Sequence, residues 1–134
     1  MPFKSSDEQY QGSVFNPFLP TKRDIERTDE LAGKNHIVAG LLGFLFPIGA
    51  CIYLNRVSNN LKINVYFLII AAPIMFAFVN EPKKNYENSK KFFEDADRII
   101  QKYTPIMSAV NLLGNIALMA ENSRAVTLAR KRQS

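Results

Sequence analysis

Two apolar runs separated by a short polar stretch constrain this chain more than any other feature. Ile37 to Leu54 reads IVAGLLGFLFPIGACIYL, eighteen residues without a charge. Ile63 to Val79 reads INVYFLIIAAPIMFAFV, seventeen residues whose only amide side chain is Asn64. At about 1.5 Å rise per residue these would make helices of about 27 and about 26 Å, short but adequate for a hydrocarbon core of about 30 Å. Each run holds ten residues from Leu, Ile, Phe and Val. On an insertion scale that is about −3 to −6 kcal/mol per run, with no charge opposing it. A core helix of a small soluble domain keeps a polar face, and neither run has one. The expectation is therefore two membrane-spanning helices, 37–54 and 63–79, in an all-α chain.

The connection between them, YLNRVSNNLK, suits a tight turn of a transmembrane helical hairpin. Tyr53, Arg56, Lys62 and Tyr66 fit membrane-interface anchors, the aromatics at headgroup level and the cations snorkelling from the helix ends. The hairpin would put both termini on one side and the turn on the other. Lys22, Arg23, Arg27 and Lys34 before the first run, and Lys83, Lys84, Lys90 and Lys91 after the second, place the termini on the cytoplasmic, matrix or stromal side by the positive-inside rule. An impermeant thiol probe is then expected to label the turn and spare the termini. The membrane would be a bacterial inner membrane or that of an organelle.

Mean hydropathy, −0.09, conceals this partition, because residues 1–36 and 80–104 are polar. The organisation expected is a polar, flexible 1–36 with a short helix, the hairpin over 37–79, and an amphipathic helical 80–134 with a basic tail. In the first region, Thr21 and Asp24 have capping-box spacing and Gly33 is a stop. Pro2, Gly12, Pro17 and Pro20 mark an extended segment. In the last region, Pro82 opens a helix. Tyr86, Ser89, Phe93, Ala96, Ile100 and Tyr103 recur at helical spacing, giving an amphipathic docking face at Phe93, Ala96, Ile100 and Tyr103. Thr104-Pro105 reads as the start of a further helix. Arg130, Lys131 and Arg132 form a solubilising tail, or one that attracts anionic lipid.

Pro47 and Pro73 each occupy the eleventh place of their run and predict helix kinks. Ala39, Gly40, Gly43, Gly49 and Ala50 give the first run a small-residue face suited to close helix packing. Its counterpart is Ala71 and Ala72 of the second run, or another protein.

The inventory for chemistry is thin. One His and one Cys lie toward opposite ends of the first run, and neither run contains Asp, Glu, Lys, Arg or His. No metal-ligand spacing, phosphate loop or proton relay can be assembled. No catalytic residue, metal or cofactor is expected, and a net charge of +5 spread along the chain offers no nucleic-acid surface.

The residues Lys34, Ala39, Leu41, Leu42, Gly49, Ala50, Tyr53, Leu54, Arg56 and Leu61-Lys62 resemble the TM2-domain family of two-helix membrane proteins. GACIYLNR stands where the family carries a Gly-Ala-His-Arg-Phe-Tyr-Leu-Gly-Arg signature. It is one residue shorter and lacks the His-Arg pair, and the family's second-helix Asp is also missing. The resemblance lies over residues 34–62, about a fifth of the chain, and implies a membrane hairpin without a shared catalytic activity.

Three functional classes remain open from sequence. The first is a non-catalytic accessory or scaffold subunit of a larger membrane complex, with the lipid bilayer and other membrane subunits as partners. The second is a homo-oligomeric pore or membrane-permeabilising protein with Asn64, Asn111 or Asn115 lining water. The third is a soluble helical binding module.

Overall fold

The computed structural model describes residues 15–81 and 88–134. Every regular element among them is an α-helix: α1 (Lys22–Glu26), α2 (Thr28–Ala32), α3 (His36–Leu45), α4 (Pro47–Leu54), α5 (Ser58–Val79) and α6 (Ser89–Gln133). The expectations for Pro2, Gly12, Pro82 and Tyr86 fall outside the described residues. Two compact units are present. One comprises residues up to Val65 with Gly114–Ser134, the other Tyr66–Leu113. The first therefore holds α1 to α4, the start of α5 and the end of α6.

In the first unit, the Thr21 side chain accepts from the Asp24 amide while Asp24 accepts from the Thr21 amide, the reciprocal capping box that starts α1. Gly33 closes α2. Asn35 then caps α3, its side-chain oxygen accepting from the Ile37 and Val38 amides.

The first apolar run departs from the single kinked span expected of it. Phe46 takes an extended backbone (φ −148°, ψ 77°), and Pro47 starts α4 as its first residue. The ring of a proline disfavours helical geometry at the residue before it, so Phe46 is where α3 must stop. Phe46 keeps its own backbone bonds across the break: its amide donates to Leu42 O at 2.7 Å, and its carbonyl accepts from the Ala50 amide at 3.2 Å. The Phe46 ring lies over Gly49, where a Cβ would collide with it. The chain reverses here. The Asn35 amide donates to the Tyr53 hydroxyl at 3.0 Å, although eighteen residues of continuous helix would put about 27 Å between them. Lys34 Nζ lies 5.1 Å from the Tyr53 ring centroid. Thus α3 and α4 form a helical hairpin about 15 Å long, half a hydrocarbon core. Its tip residues Leu45, Phe46 and Ile48 are exposed.

Behind the hairpin stands the end of α6. Gly43 is seated so closely that a Cβ would come within 2.6 Å of Leu118 O and 2.8 Å of Asn122 Nδ2. Gly40 faces Ser123 and Met119. Leu31, Ala32, Ala39, Leu54, Val126 and Ala129 make the apolar core of this unit.

In the second unit, α5 continues through Pro73 and α6 continues through Pro105. The helix start expected at Thr104 does not occur; its hydroxyl donates back to Ile100 O at 2.7 Å. A proline costs a helix one donor, and the residues on both sides of Pro105 stay helical in a single element of 45 residues. Phe78 and Tyr103 meet edge to face at 5.5 Å. Glu81 accepts from the Tyr103 hydroxyl at 2.6 Å and from Lys102 at 3.0 Å.

Candidate functional site

Arg56 follows α4 directly and is only 5 % exposed. A buried guanidinium needs carboxylates in good geometry to offset its desolvation. Two are supplied. Its Nε and Nη2 reach Asp24 at 3.0 and 2.7 Å, and its Nη2 reaches Glu121 Oε1 at 2.7 Å. Burial by itself would raise the Asp24 carboxyl pKa; the Arg56 bonds and charge, with the Thr21 cap, outweigh it and hold the group below its ordinary value. Burial likewise works against the Arg56 charge, and Asp24 and Glu121 reverse that, leaving its pKa above the usual guanidinium value.

The ionic cluster continues as amides. Asn59 donates to Glu121 Oε1 at 3.0 Å and to Leu19 O at 2.7 Å. Asn60 donates to Asn122 Oδ1 at 3.2 Å and to Cys51 Sγ at 3.1 Å, and Asn122 donates to Leu118 O at 2.7 Å. These side chains join α1, the α4–α5 connection and α6. The cavity against Asp24, Arg56 and Glu121 is about 10 Å³, room for a single water at most. The cluster clamps helices together and has no space for a substrate.

A second set of cations secures the helix ends. Arg27 donates to Leu54 O at 3.1 Å and Asn55 O at 2.7 Å, satisfying the last carbonyls of α4. Asn55 takes the left-handed conformation there (φ 49°), which asparagine tolerates better than most residues. Arg130 donates to Ala32 O at 3.1 Å and Lys34 O at 2.7 Å. Arg132 donates to Thr28 Oγ1 and Asp24 O, and Gln133 to Asp29. The basic tail is therefore the last turns of α6, bonded to α1 and α2, rather than a free solvated segment.

The residues singled out from sequence divide accordingly. Arg56 is the centre of a buried ion cluster and not a snorkelling anchor, because two carboxylates compete successfully for it. Tyr53 is half-buried and bonded to Asn35, Lys62 is half-buried, and Tyr66 is exposed. Ala39, Gly40 and Gly43 pack on α6 of the same chain, so neither Ala71 nor Ala72 is their counterpart. Ala50 is fully buried, Ala71 half-buried and Ala72 exposed. Phe93 and Ile100 are exposed, whereas Ala96 and Tyr103 are half-buried, with Tyr103 on Phe78. Asn64 donates to Asn60 O of its own helix at 2.9 Å; Asn111 is exposed and Asn115 half-buried.

Among the described residues two helices are long and apolar enough to cross a membrane, Ser58–Val79 and Ser89–Gln133. Only 6 % of the most apolar window of α5 is buried within the chain. Leu68, Ile69 and Ile70 are 67, 63 and 50 % exposed, whereas Phe67, Ala71, Ile74 and Phe78 form one half-buried stripe. No family model, curated protein or solved structure matches the chain.

Proposed function

We propose that this chain is a non-catalytic integral membrane protein that serves as an accessory or scaffold subunit of a larger membrane assembly. The broad exposure of α5 outside one half-buried stripe (Phe67, Ala71, Ile74 and Phe78) carries the reading. An apolar helix without a polar face is stable in oil and costly in water. The apolar part of α5, residues 63–79, is about 26 Å long, enough for a core of about 30 Å. The α3–α4 hairpin dips into one leaflet by its apolar tip, while its base carries Lys34, Asn35, Asn55 and the ionic cluster.

Arg56 is bonded to both Asp24 and Glu121, and Arg130 to the carbonyls of Ala32 and Lys34. These bonds favour one side of the bilayer for residues 24–34, the 55–57 connection and residues 121–130, a threading different from the two-span hairpin. Lys22, Arg23, Arg27, Arg124, Arg130 and Lys131 gather in the same unit, which favours the cytoplasmic, matrix or stromal side.

An apolar helix that leaves most of its surface exposed is what is expected of a subunit whose apolar face is covered by lipid and by other proteins. Carbonate extraction of membranes, followed by identification of proteins that co-purify in mild detergent, tests the reading. Retention in the pellet with a reproducible set of partners is expected. Release into the supernatant, or a partner-free monomer in several detergents, would overturn it.

A further inference from the structure

The geometry points to a binding groove for one anionic phospholipid on the first unit, between α3 and the end of α6. The groove is open and has a volume of about 500 Å³, within the range of small-molecule sites. Its two ends differ in chemistry. Leu41, Met119 and Ala120 lie toward the hairpin tip, His36, Arg124 and Thr127 toward its base, and Ile37, Gly40 and Ser123 between them.

The polarity gradient follows both helices in register. Along α3 it runs from His36 at the polar base to Leu41, toward the hairpin tip. Along α6 it runs from Thr127 and Arg124 back to Ala120 and Met119. An acyl chain would lie along the Leu41–Met119 part, and a phosphate would meet the hydroxyl of Ser123 and the guanidinium of Arg124, the Thr127 hydroxyl being engaged with Ser123 O at 3.1 Å.

Charge complementarity selects the headgroup. Arg124 is exposed and makes no hydrogen bond or ion pair among the described residues. Arg130 stands beside the polar end, its Nη1 3.4 Å from His36 Nδ1. No carboxylate lines the groove. An isolated phosphate would use the polar end alone and leave the apolar part wet, so a lipid is the occupant that fits both.

Native mass spectrometry of the full chain in a neutral detergent tests this, with phosphatidylglycerol and phosphatidylcholine as probes. Phosphatidylglycerol should be retained about fivefold or more over phosphatidylcholine, as one surface cation near an anionic lipid provides. Arg124→Ala should remove that preference, and Ala120→Phe should reduce retention of both lipids by filling the apolar part. Both positions are exposed, and helix content by circular dichroism checks that each variant folds. Lys90→Ala, on the other unit, should leave retention unchanged. Equal retention of the two lipids, an unaltered preference in Arg124→Ala, or displacement of phosphatidylglycerol by millimolar inorganic phosphate would each overturn the proposal. Membrane insertion is read separately by carbonate extraction, so loss of lipid selectivity leaves the subunit reading standing.

Discussion

The Tyr53 hydroxyl accepts a 3.0 Å hydrogen bond from the backbone amide of Asn35, eighteen positions earlier in the chain. That bond joins the end of α4 to the beginning of α3. It closes the first apolar run back on itself. Ser58, which starts α5, consequently lies on the same unit as Ser134.

This arrangement has a topological consequence. In sealed vesicles of one orientation, cysteines introduced at Ser58 and at Ser134, in a Cys51→Ser background, should both react with an impermeant maleimide or both be protected. The serine replacing Cys51 retains an acceptor for Asn60. Reaction at one position and protection at the other would restore the two-span hairpin.

The ion cluster should be costly to break and cheap to remove. Arg56→Leu leaves Asp24 and Glu121 buried without their shared cation, and loss of about 3–5 kcal/mol is expected in equilibrium unfolding in detergent. The triple variant Asp24→Asn, Arg56→Leu, Glu121→Gln should recover most of that loss. A cost for Arg56→Leu under about 1 kcal/mol, the range of exposed pairs, would contradict the cluster.

Asp24 also sets an acid limit. Its folded pKa lies below the ordinary 3.8, so its contribution is fully present above 3.8. That contribution is lost as pH falls through the lower folded value. Melting temperature against pH should therefore drop more steeply below pH 3.8 in the wild type than in Asp24→Asn. Parallel curves would show that this carboxylate carries no such linkage.

Close packing of α3 on α6 makes Gly43 intolerant of a side chain. Gly43→Ala puts a methyl group against the Leu118 carbonyl, and overpacking of this kind costs about 1–3 kcal/mol. Gly40→Ala meets its nearest atom at 3.3 Å and should cost less in the same unfolding measurement. Equal effects at the two glycines would contradict a closer approach of the two helices at Gly43 than at Gly40.

Local signals in the sequence were transmitted faithfully, and distant ones were not visible. The capping box at Thr21 and Asp24 is satisfied within four residues, so it reads directly from the chain. Phe46-Pro47 announces an interruption, but whether the chain bends or reverses depends on Gly43 meeting Leu118, a contact that no window of sequence contains. Arg56 is the sharper case. A cation between two apolar runs invites either water or a buried partner, and the partners lie 32 positions earlier at Asp24 and beyond α5 at Glu121. The hint was Glu121 itself, one carboxylate following the apolar stretch NIALMA with Asn122 beside it. Pro105 misled in the other direction, since proline at a helix start and proline inside a long helix share the same local pattern.

Reactivity of a cysteine at Ile69 tests the central claim most directly. The position is 63 % exposed on the protein, so only lipid or a partner subunit can shield it. Measured in vesicles with a membrane-impermeant maleimide, Ile69→Cys should remain unlabelled with the reagent on either side and react once the sample is denatured in dodecyl sulfate. Labelling in intact vesicles as fast as at Ser58→Cys would mean that α5 faces water, and the membrane reading would fall.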